Sequence, residues 1–107
     1  MTCPISDLNL KRDFASVDPG TILEQLATLP IATWRYKTEG PEQRHIGPMA
    51  QDFMATFHVG SSDTSILQVD ADGVALAAIQ ALHARLERLE QENQALKLEL
   101  ERLRAAR

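Results

Sequence analysis

The stretch from Ala75 to Leu103, ALAAIQALHARLERLEQENQALKLELERL, decides the architecture of this chain. Its apolar residues recur at alternating intervals of three and four positions, which places them in one line along the side of an α-helix. An isolated helix cannot cover such a line, so we expect it to pack against a partner. This line, called the leucine seam below, consists of Ile79, Leu82, Leu86, Leu89, Asn93, Leu96, Leu100 and Leu103.

Charged residues flank the leucine seam in a pattern that favours identical chains lying parallel and in register. With the repeated leucines at the d positions of the heptad, each g residue meets an opposite charge five residues further along the next chain. The expected pairs are Arg85 with Glu90, Glu92 with Lys97, and Glu99 with Arg104. A single solvated helix with chance charge alternation is the alternative, and three matching pairs argue against it.

Asn93 occupies an a position of the heptad, where buried amides pair with one another and hold the register of a coil. An ordinary polar break in the seam is the alternative interpretation. The a positions contain both isoleucine and leucine, and the d positions contain leucine. This combination does not distinguish a two-stranded from a three-stranded coil. The pattern therefore predicts a parallel oligomer and leaves its number open.

Composition limits both the core and the partners. The chain has 107 residues. With about 30 of them in the coil, about 75 remain for a globular head, a size at which one core is marginal. A net charge of -4 offers no basic surface for nucleic acid or an anionic membrane. No apolar stretch has the length of a membrane span, and the N-terminus does not resemble a signal peptide. We expect neither nucleic acid nor membrane as a partner.

Cysteine and histidine give no sign of a metal centre. Cys3 is the single cysteine, so it cannot form a disulfide within the chain. The histidines His45, His58 and His83 lack ligand spacing to one another. We therefore expect no metal and no cofactor.

The segments before the coil predict a small head of helices and short strands. Residues 8–17 suggest a short extended stretch. Residues 21–29 have helical period, with Asp18 as N-cap and Pro30 as the stop. Residues 31–37 are typical of a strand, and after a turn at 38–42 a return strand at 43–46 would complete a hairpin.

A second helix is expected to open at Pro48, with four apolar residues on its buried side, and residues 66–69 are a candidate strand. Those apolar residues are Met49, Phe53, Met54 and Phe57. The predicted fold class is α+β, a small mostly helical head with short strands followed by a long coiled-coil helix in a parallel oligomer. We divide the chain into an upstream tail (1–5), a head (6–73) and the long helix (74–107).

Two motifs in the head carry a family resemblance. Ser6-Asp7 is followed by Lys11, and a later segment reads His45-Ile46-Gly47-Pro48-Met49-Ala50-Gln51-Asp52. Together they resemble the intramolecular chaperone auto-processing domain, or peptidase S74 domain, of phage tailspikes, tail fibres and related bacterial proteins. That family begins with Ser-Asp, has lysine five positions after the serine, and carries His-Ile-Gly-x-x-Ala-Gln-(Glu/Asp). Thr33 to Tyr36 is similar to its aromatic strand, and the resemblance covers about residues 6–90. Asn9 stands where the family commonly has arginine.

The resemblance implies a homotrimer that helps an upstream β-helical or fibrous passenger to fold and then cuts itself off with a serine-lysine dyad. It implies Ser6 as nucleophile and Lys11 as base, with Asp7, His45 and Gln51 as supporting candidates. Its partners would be its own copies and the passenger, and it would act in the bacterial cytoplasm during assembly of a phage virion or bacterial fibre. Because the tail is so short, we expect either a piece of a longer protein or a small standalone protein.

Serine-lysine chemistry makes two physical demands on this chain. An ordinary lysine is protonated at neutral pH, so a lysine base must be desolvated, which an assembled interface could provide. Residues five apart also lie on different sides of a regular helix or strand, so a bend, a bulge or a neighbouring chain must bring them together. The favoured scissile bond is Ile5-Ser6, because a serine hydroxyl can attack the carbonyl of the preceding residue. Ser6-Asp7 is the second choice.

Two non-catalytic alternatives remain open at this point. The chain could be a trimerisation module that stays attached to its fibre, with Ser6 and Lys11 as ordinary polar surface residues. It could also be a dimeric coiled-coil adaptor, which the asparagine at an a position would suit.

Overall fold

The computed structural model describes residues 5–106 as a small α+β head mounted on one long helix, 71 Å in its longest dimension. This confirms the predicted α+β class and the long C-terminal helix. Cys3 and most of the predicted upstream tail lie outside the described residues. The elements, in chain order, are a 3₁₀ turn (Leu8–Leu10), α1 (Pro19–Thr28), β1 (Ala32–Trp34), β2 (His45–Gly47), α2 (Ala50–Phe57) and α3 (Gln68–Ala105).

Helix α1 has the capping that its sequence predicts. The Asp18 carboxylate accepts a hydrogen bond from the backbone nitrogen of Gly20 at 3.1 Å, and Pro19 occupies the first helical position. The helix ends at Thr28, and Leu29 follows in an extended conformation before Pro30. The predicted cap and stop are therefore confirmed.

The two strands form the expected antiparallel hairpin, with Thr33 opposite Ile46. They are shorter than the sequence suggests, because only three residues on each side are paired. The backbone nitrogen of Tyr36 donates instead to the carboxylate of Glu39 at 2.8 Å. That bond ends the ladder and starts the connecting loop.

Helix α2 begins later than expected, at Ala50, and Pro48 lies outside it. The first helical hydrogen bond runs from the Phe53 nitrogen to the Met49 carbonyl at 3.0 Å, which makes Met49 the N-cap residue. Phe53 and Phe57 are buried as predicted, but Met49 is 42% exposed. The prediction that Pro48 opens the helix and Met49 is buried was wrong.

Helix α3 begins at Gln68, six residues before the predicted start of the long helix. Residues 66–69 form no strand, because the backbone nitrogens of Asp70 and Ala71 bond to the Leu67 carbonyl and begin the helix there. Ile66 packs against the core instead of pairing in a sheet. The prediction of a strand at 66–69 was wrong.

The core lies where α1 and α2 meet the base of α3. Its buried members are Leu29, Phe53, Phe57 and Val74. Two small residues of α3, Ala78 and Ala81, are also buried and are only 3% and 6% exposed. Small side chains at these positions permit close packing of the head on the helix.

The head leaves the leucine seam uncovered. The apolar side chains of the seam, from Ile79 to Leu103, are between 47% and 67% exposed. The buried residues Val74, Ala78 and Ala81 lie outside the a and d positions, so the head packs on a different side of α3. Within residues 5–106, no helix is both long and apolar enough to cross a membrane.

Candidate active site

Ser6 and Lys11 lie within hydrogen-bonding distance of each other in a single chain. The Lys11 Nζ donates to the Ser6 Oγ at 2.5 Å. A general base must come within hydrogen-bond reach of the hydroxyl that it deprotonates, and this pair meets that condition. No neighbouring chain is needed to bring the two side chains together.

A 3₁₀ turn between Ser6 and Lys11 brings their side chains together although they are five positions apart in the sequence. Backbone bonds from Leu10 to the Asp7 carbonyl (3.0 Å) and from Lys11 to the Leu8 carbonyl (3.2 Å) tighten the chain over residues 7–11. A backbone bond between residues three apart closes a tight turn, so the chain bends sharply between Ser6 and Lys11. The expectation of an extended stretch was wrong for Leu8–Leu10.

The side chain of Asp7 caps this turn. Its Oδ1 accepts hydrogen bonds from the backbone nitrogen of Asn9 at 3.0 Å and from the Asn9 Nδ2 at 3.3 Å. Asp7 is the N-cap residue, with extended backbone angles typical of that position. Asp7 therefore stabilises the backbone turn between Ser6 and Lys11.

Both members of the dyad are exposed to solvent in the single chain. In this contact the Lys11 nitrogen donates to the hydroxyl oxygen, whereas catalysis requires the nitrogen to accept the hydroxyl hydrogen. To act as a base, Lys11 must lose a proton and accept the hydroxyl hydrogen, and removal of water favours that neutral form. The geometry is thus present in the single chain, while the low-dielectric surroundings are not.

His45 lies in the hairpin and bonds to a residue that the sequence did not single out. Its Nε2 is 2.9 Å from both carboxylate oxygens of Glu39. This hydrogen bond, and then the bond from the Tyr36 backbone, hold the pKa of Glu39 below its ordinary value. The imidazole also packs against Trp34, with ring centroids 4.9 Å apart. Within the described residues, the hydrogen bonds of His45 go to the hairpin and not to Ser6 or Lys11.

Gln51 lies on a shallow groove between the hairpin and α2. The groove has a volume of about 380 Å³, and its lining includes Trp34, Tyr36, Met49, Gln51 and Thr64. The buried Trp34 Nε1 has no hydrogen-bond partner among residues 5–106. Gln51 and His45 therefore belong to the surroundings of the hairpin, apart from the dyad turn.

Three of the charged residues beside the seam have partners within their own chain. Arg85 bonds to Glu24 of α1 at 3.0 Å, and Glu99 bonds to Arg102 at 2.5 Å. Glu92 lies 3.9 Å from Arg88. The Arg85–Glu24 pair links α1 to α3, and the predicted pairs between chains remain predictions.

The described part of the chain contains no cluster of three or more histidine, cysteine or acidic residues that could hold a metal ion. The candidate site thus consists of a hydroxyl and an amine on one capped turn, in a chain that also has a hairpin head and a long helix.

A comparison with known families identifies the class. The sequence model of the peptidase S74 family, described as chaperone of endosialidase, matches residues 6–59, and the chain belongs to this family. The match begins at Ser6 and includes the His45 motif, but it ends before α3 and is shorter than the 6–90 expected from the motifs. No curated protein matches the chain.

Proposed function

We propose that this chain is an intramolecular chaperone that assembles as a parallel homotrimer, assists the folding of an upstream fibre or β-helical passenger, and then releases itself by autoproteolysis. Ser6 is the nucleophile and Lys11 the base. The observation that carries this proposal is the 2.5 Å hydrogen bond between Lys11 Nζ and Ser6 Oγ. Membership of the chaperone of endosialidase family supports the chaperone role.

The reaction that suits this geometry is an attack of Ser6 on its own preceding carbonyl. The neutral Lys11 amine takes the hydroxyl proton while Oγ bonds to the carbonyl carbon of Ile5. The C–N bond to Ser6 then breaks, the nitrogen takes a proton, and an ester joins Ile5 to Oγ. Water hydrolyses this ester, which leaves a carboxylate on Ile5 and a free amine and hydroxyl on Ser6. Cleavage at Ser6-Asp7 is the second choice.

Assembly is the step that could switch this chemistry on. The dyad is exposed in the single chain, and desolvation by neighbouring chains would favour the neutral amine. The exposed leucine seam supplies a surface for such association. Cleavage would thereby follow correct assembly of the trimer.

The proposal is tested by fusing a trimeric β-helical passenger upstream of Met1 and following the chain on a denaturing gel. We expect the wild-type fusion to split, and Ser6→Ala and Lys11→Ala to remain intact. Arg12→Ala is the matched control, because Arg12 is a neighbouring exposed cation outside the dyad. Mass spectrometry of the released fragment distinguishes a new terminus at Ser6 from one at Asp7. A wild-type fusion that trimerises and stays uncut would reject autoproteolysis.

A non-catalytic trimerisation module is the second candidate function, and the exposed leucine seam is the observation that favours it. It predicts stable trimers and an uncut passenger. A dimeric adaptor predicts a mass of two chains by sedimentation equilibrium, which would reject the trimer.

A further inference from the structure

Arg85 flanks the leucine seam and also contacts the head. It occupies a g position of the heptad, where its expected partner is Glu90 of the neighbouring chain. In the single chain, its Nη2 donates to the Oε1 of Glu24 in α1 at 3.0 Å. Among the described residues, this is the ion pair that joins the head to α3. Arg85 is therefore placed to contact its own head on one side and a neighbouring chain on the other.

The other two charged g residues have partners about one turn away on α3 itself. Glu92 lies 3.9 Å from Arg88, and Glu99 bonds to Arg102. Both glutamates are exposed, whereas Arg85 is half-buried. The head thus covers part of the Arg85 side chain and leaves Glu92 and Glu99 open to solvent.

The head packs on the g and c sides of α3 and stops beside the seam. Ala78 at a g position and Ala81 at a c position are buried, while Leu82 and Leu86 of the seam are 47% and 56% exposed. In a parallel coil, the g side of one helix faces the e side of the next. A neighbouring chain that covered the seam would therefore approach Arg85 from the side that α1 leaves open.

The guanidinium group of an arginine can hold two carboxylates at once. It has several N–H donors in a planar fork, and the bond from Arg85 to Glu24 uses Nη2. Glu90 is exposed and belongs to none of the ion pairs among residues 5–106. The Glu24 bond also restricts the rotamers of Arg85 before a neighbour arrives, so a second bond loses less side-chain entropy. Isolated surface ion pairs contribute little to stability, but a network of charges contributes more.

We propose that Arg85 is shared in the assembled protein by Glu24 of its own head and Glu90 of the neighbouring chain, and that this network couples docking of α1 to association of the coil. The network rests on the proposed function, which supplies the parallel oligomer. Coupling between two equilibria is reciprocal. A docked α1 therefore strengthens association, and the carboxylate of the neighbouring chain in turn holds α1 on α3. Chains with folded heads associate more tightly than chains whose α1 is undocked.

Sedimentation equilibrium of the full chain tests the network. Ser6→Ala is present throughout, so that self-cleavage does not change the mass. We expect Glu90→Gln to weaken association by about threefold per pair, or roughly thirtyfold for the three pairs of a trimer. Glu24→Gln should weaken association by about twofold per chain, and it should reduce the effect of Glu90→Gln to about 1.5-fold per pair.

The sign of the Glu24→Gln effect distinguishes the network from a coil held by its seam alone. Without the network, removal of one negative charge from a chain of net charge -4 lowers the repulsion between copies and leaves association unchanged or stronger. Glu42→Gln makes the same charge change in the hairpin loop and should not weaken association. Association of Glu24→Gln as tight as that of the parent chain would overturn the proposal.

Amide hydrogen exchange tests the reciprocal effect on the head. At a concentration at which both proteins are fully assembled, Glu90→Gln should speed exchange in residues 21–28 of α1 by about twofold, although Glu90 lies outside the head. Glu101→Gln makes the same charge change at another exposed site of α3 and should not alter this exchange. Unchanged exchange of α1 in Glu90→Gln would overturn the proposal. An oligomer in which the effects of Glu24→Gln and Glu90→Gln simply multiply rejects the network alone, whereas a chain that stays monomeric rejects the proposed function as well.

Discussion

The carboxylate of Asp7 accepts hydrogen bonds from both nitrogens of Asn9, at 3.0 Å from the backbone and 3.3 Å from the side chain. These bonds cap the 3₁₀ turn that brings Lys11 to Ser6. Asp7 thereby holds the turn that brings Ser6 and Lys11 together. Among the described residues, its side chain makes no hydrogen bond to either of them. Asn9, which stands where the family commonly has arginine, is part of this cap.

Removal of the cap should slow self-cleavage without abolishing it. A lost N-cap costs about 1 kcal/mol, so Asp7→Ala should lower the single-turnover rate by about fivefold. Asp7→Asn keeps an acceptor oxygen in the same place and should cleave within about twofold of wild type. The measurement is the rate of fragment release on a denaturing gel as a function of pH. An Asp7→Asn rate as low as that of Asp7→Ala would mean that the negative charge, not the cap, is what matters.

Two neighbouring leucines test whether the leucine seam, and not apolar surface elsewhere on the helix, forms the interface between chains. Leu96 lies in the seam and Leu98 lies outside it, and they are 67% and 63% exposed in the single chain. If the seam is the interface, Leu96→Ala removes a buried side chain worth about 2–5 kcal/mol per chain, whereas Leu98→Ala changes stability by less than about 0.5 kcal/mol. Thermal melting and sedimentation equilibrium measure the difference. Equal effects of the two substitutions would show that the seam is not the interface.

Local sequence patterns were enough to predict α1 and the hairpin. The cap at Asp18, with Pro19 at the first helical position, acts within a few residues of the chain, and so does the turn between β1 and β2. The error at residues 66–69 has a different origin. Apolar and β-branched residues favour a strand only where another strand is available to pair, and here Ile66 meets the helical core.

The sequence supplied the candidate residues of the site but not their geometry. The family motif identified Ser6 and Lys11, while the turn that joins them depends on a side-chain cap, which a search for period alone does not detect. Glu39 was missed because its contact with His45 depends on the register of the hairpin. Likewise, the bond of Arg85 to Glu24 depends on how α1 packs against α3 and cannot be read from heptad positions.

Asn93 should restrict the register and the number of strands of the coil while lowering its stability. In a coil, a buried asparagine at an a position restricts register and strand number but is less stabilising than an aliphatic residue. We therefore expect Asn93→Ile to raise the melting temperature of the oligomer and to broaden its distribution of masses in sedimentation. Gln94→Ile is the control, since Gln94 occupies the outward b position. A lower melting temperature for Asn93→Ile would place Asn93 outside the buried seam.

The hairpin should lose stability in acid through Glu39. The hydrogen bond from His45, followed by that from the Tyr36 backbone, lowers the pKa of Glu39 from its ordinary value of 4.5. A carboxyl group whose pKa is lowered by folding stabilises the folded state at pH values above its ordinary pKa. This stabilisation is lost as the pH falls through the lowered pKa.

Trp34 packs against His45 and is the only tryptophan, so its fluorescence reports on the hairpin. We expect a change in wild-type fluorescence below pH 4.5 that is absent from Glu39→Gln. Glu42→Gln, in the same loop, should behave as wild type, and an acid transition in Glu39→Gln equal to that of wild type would contradict this role.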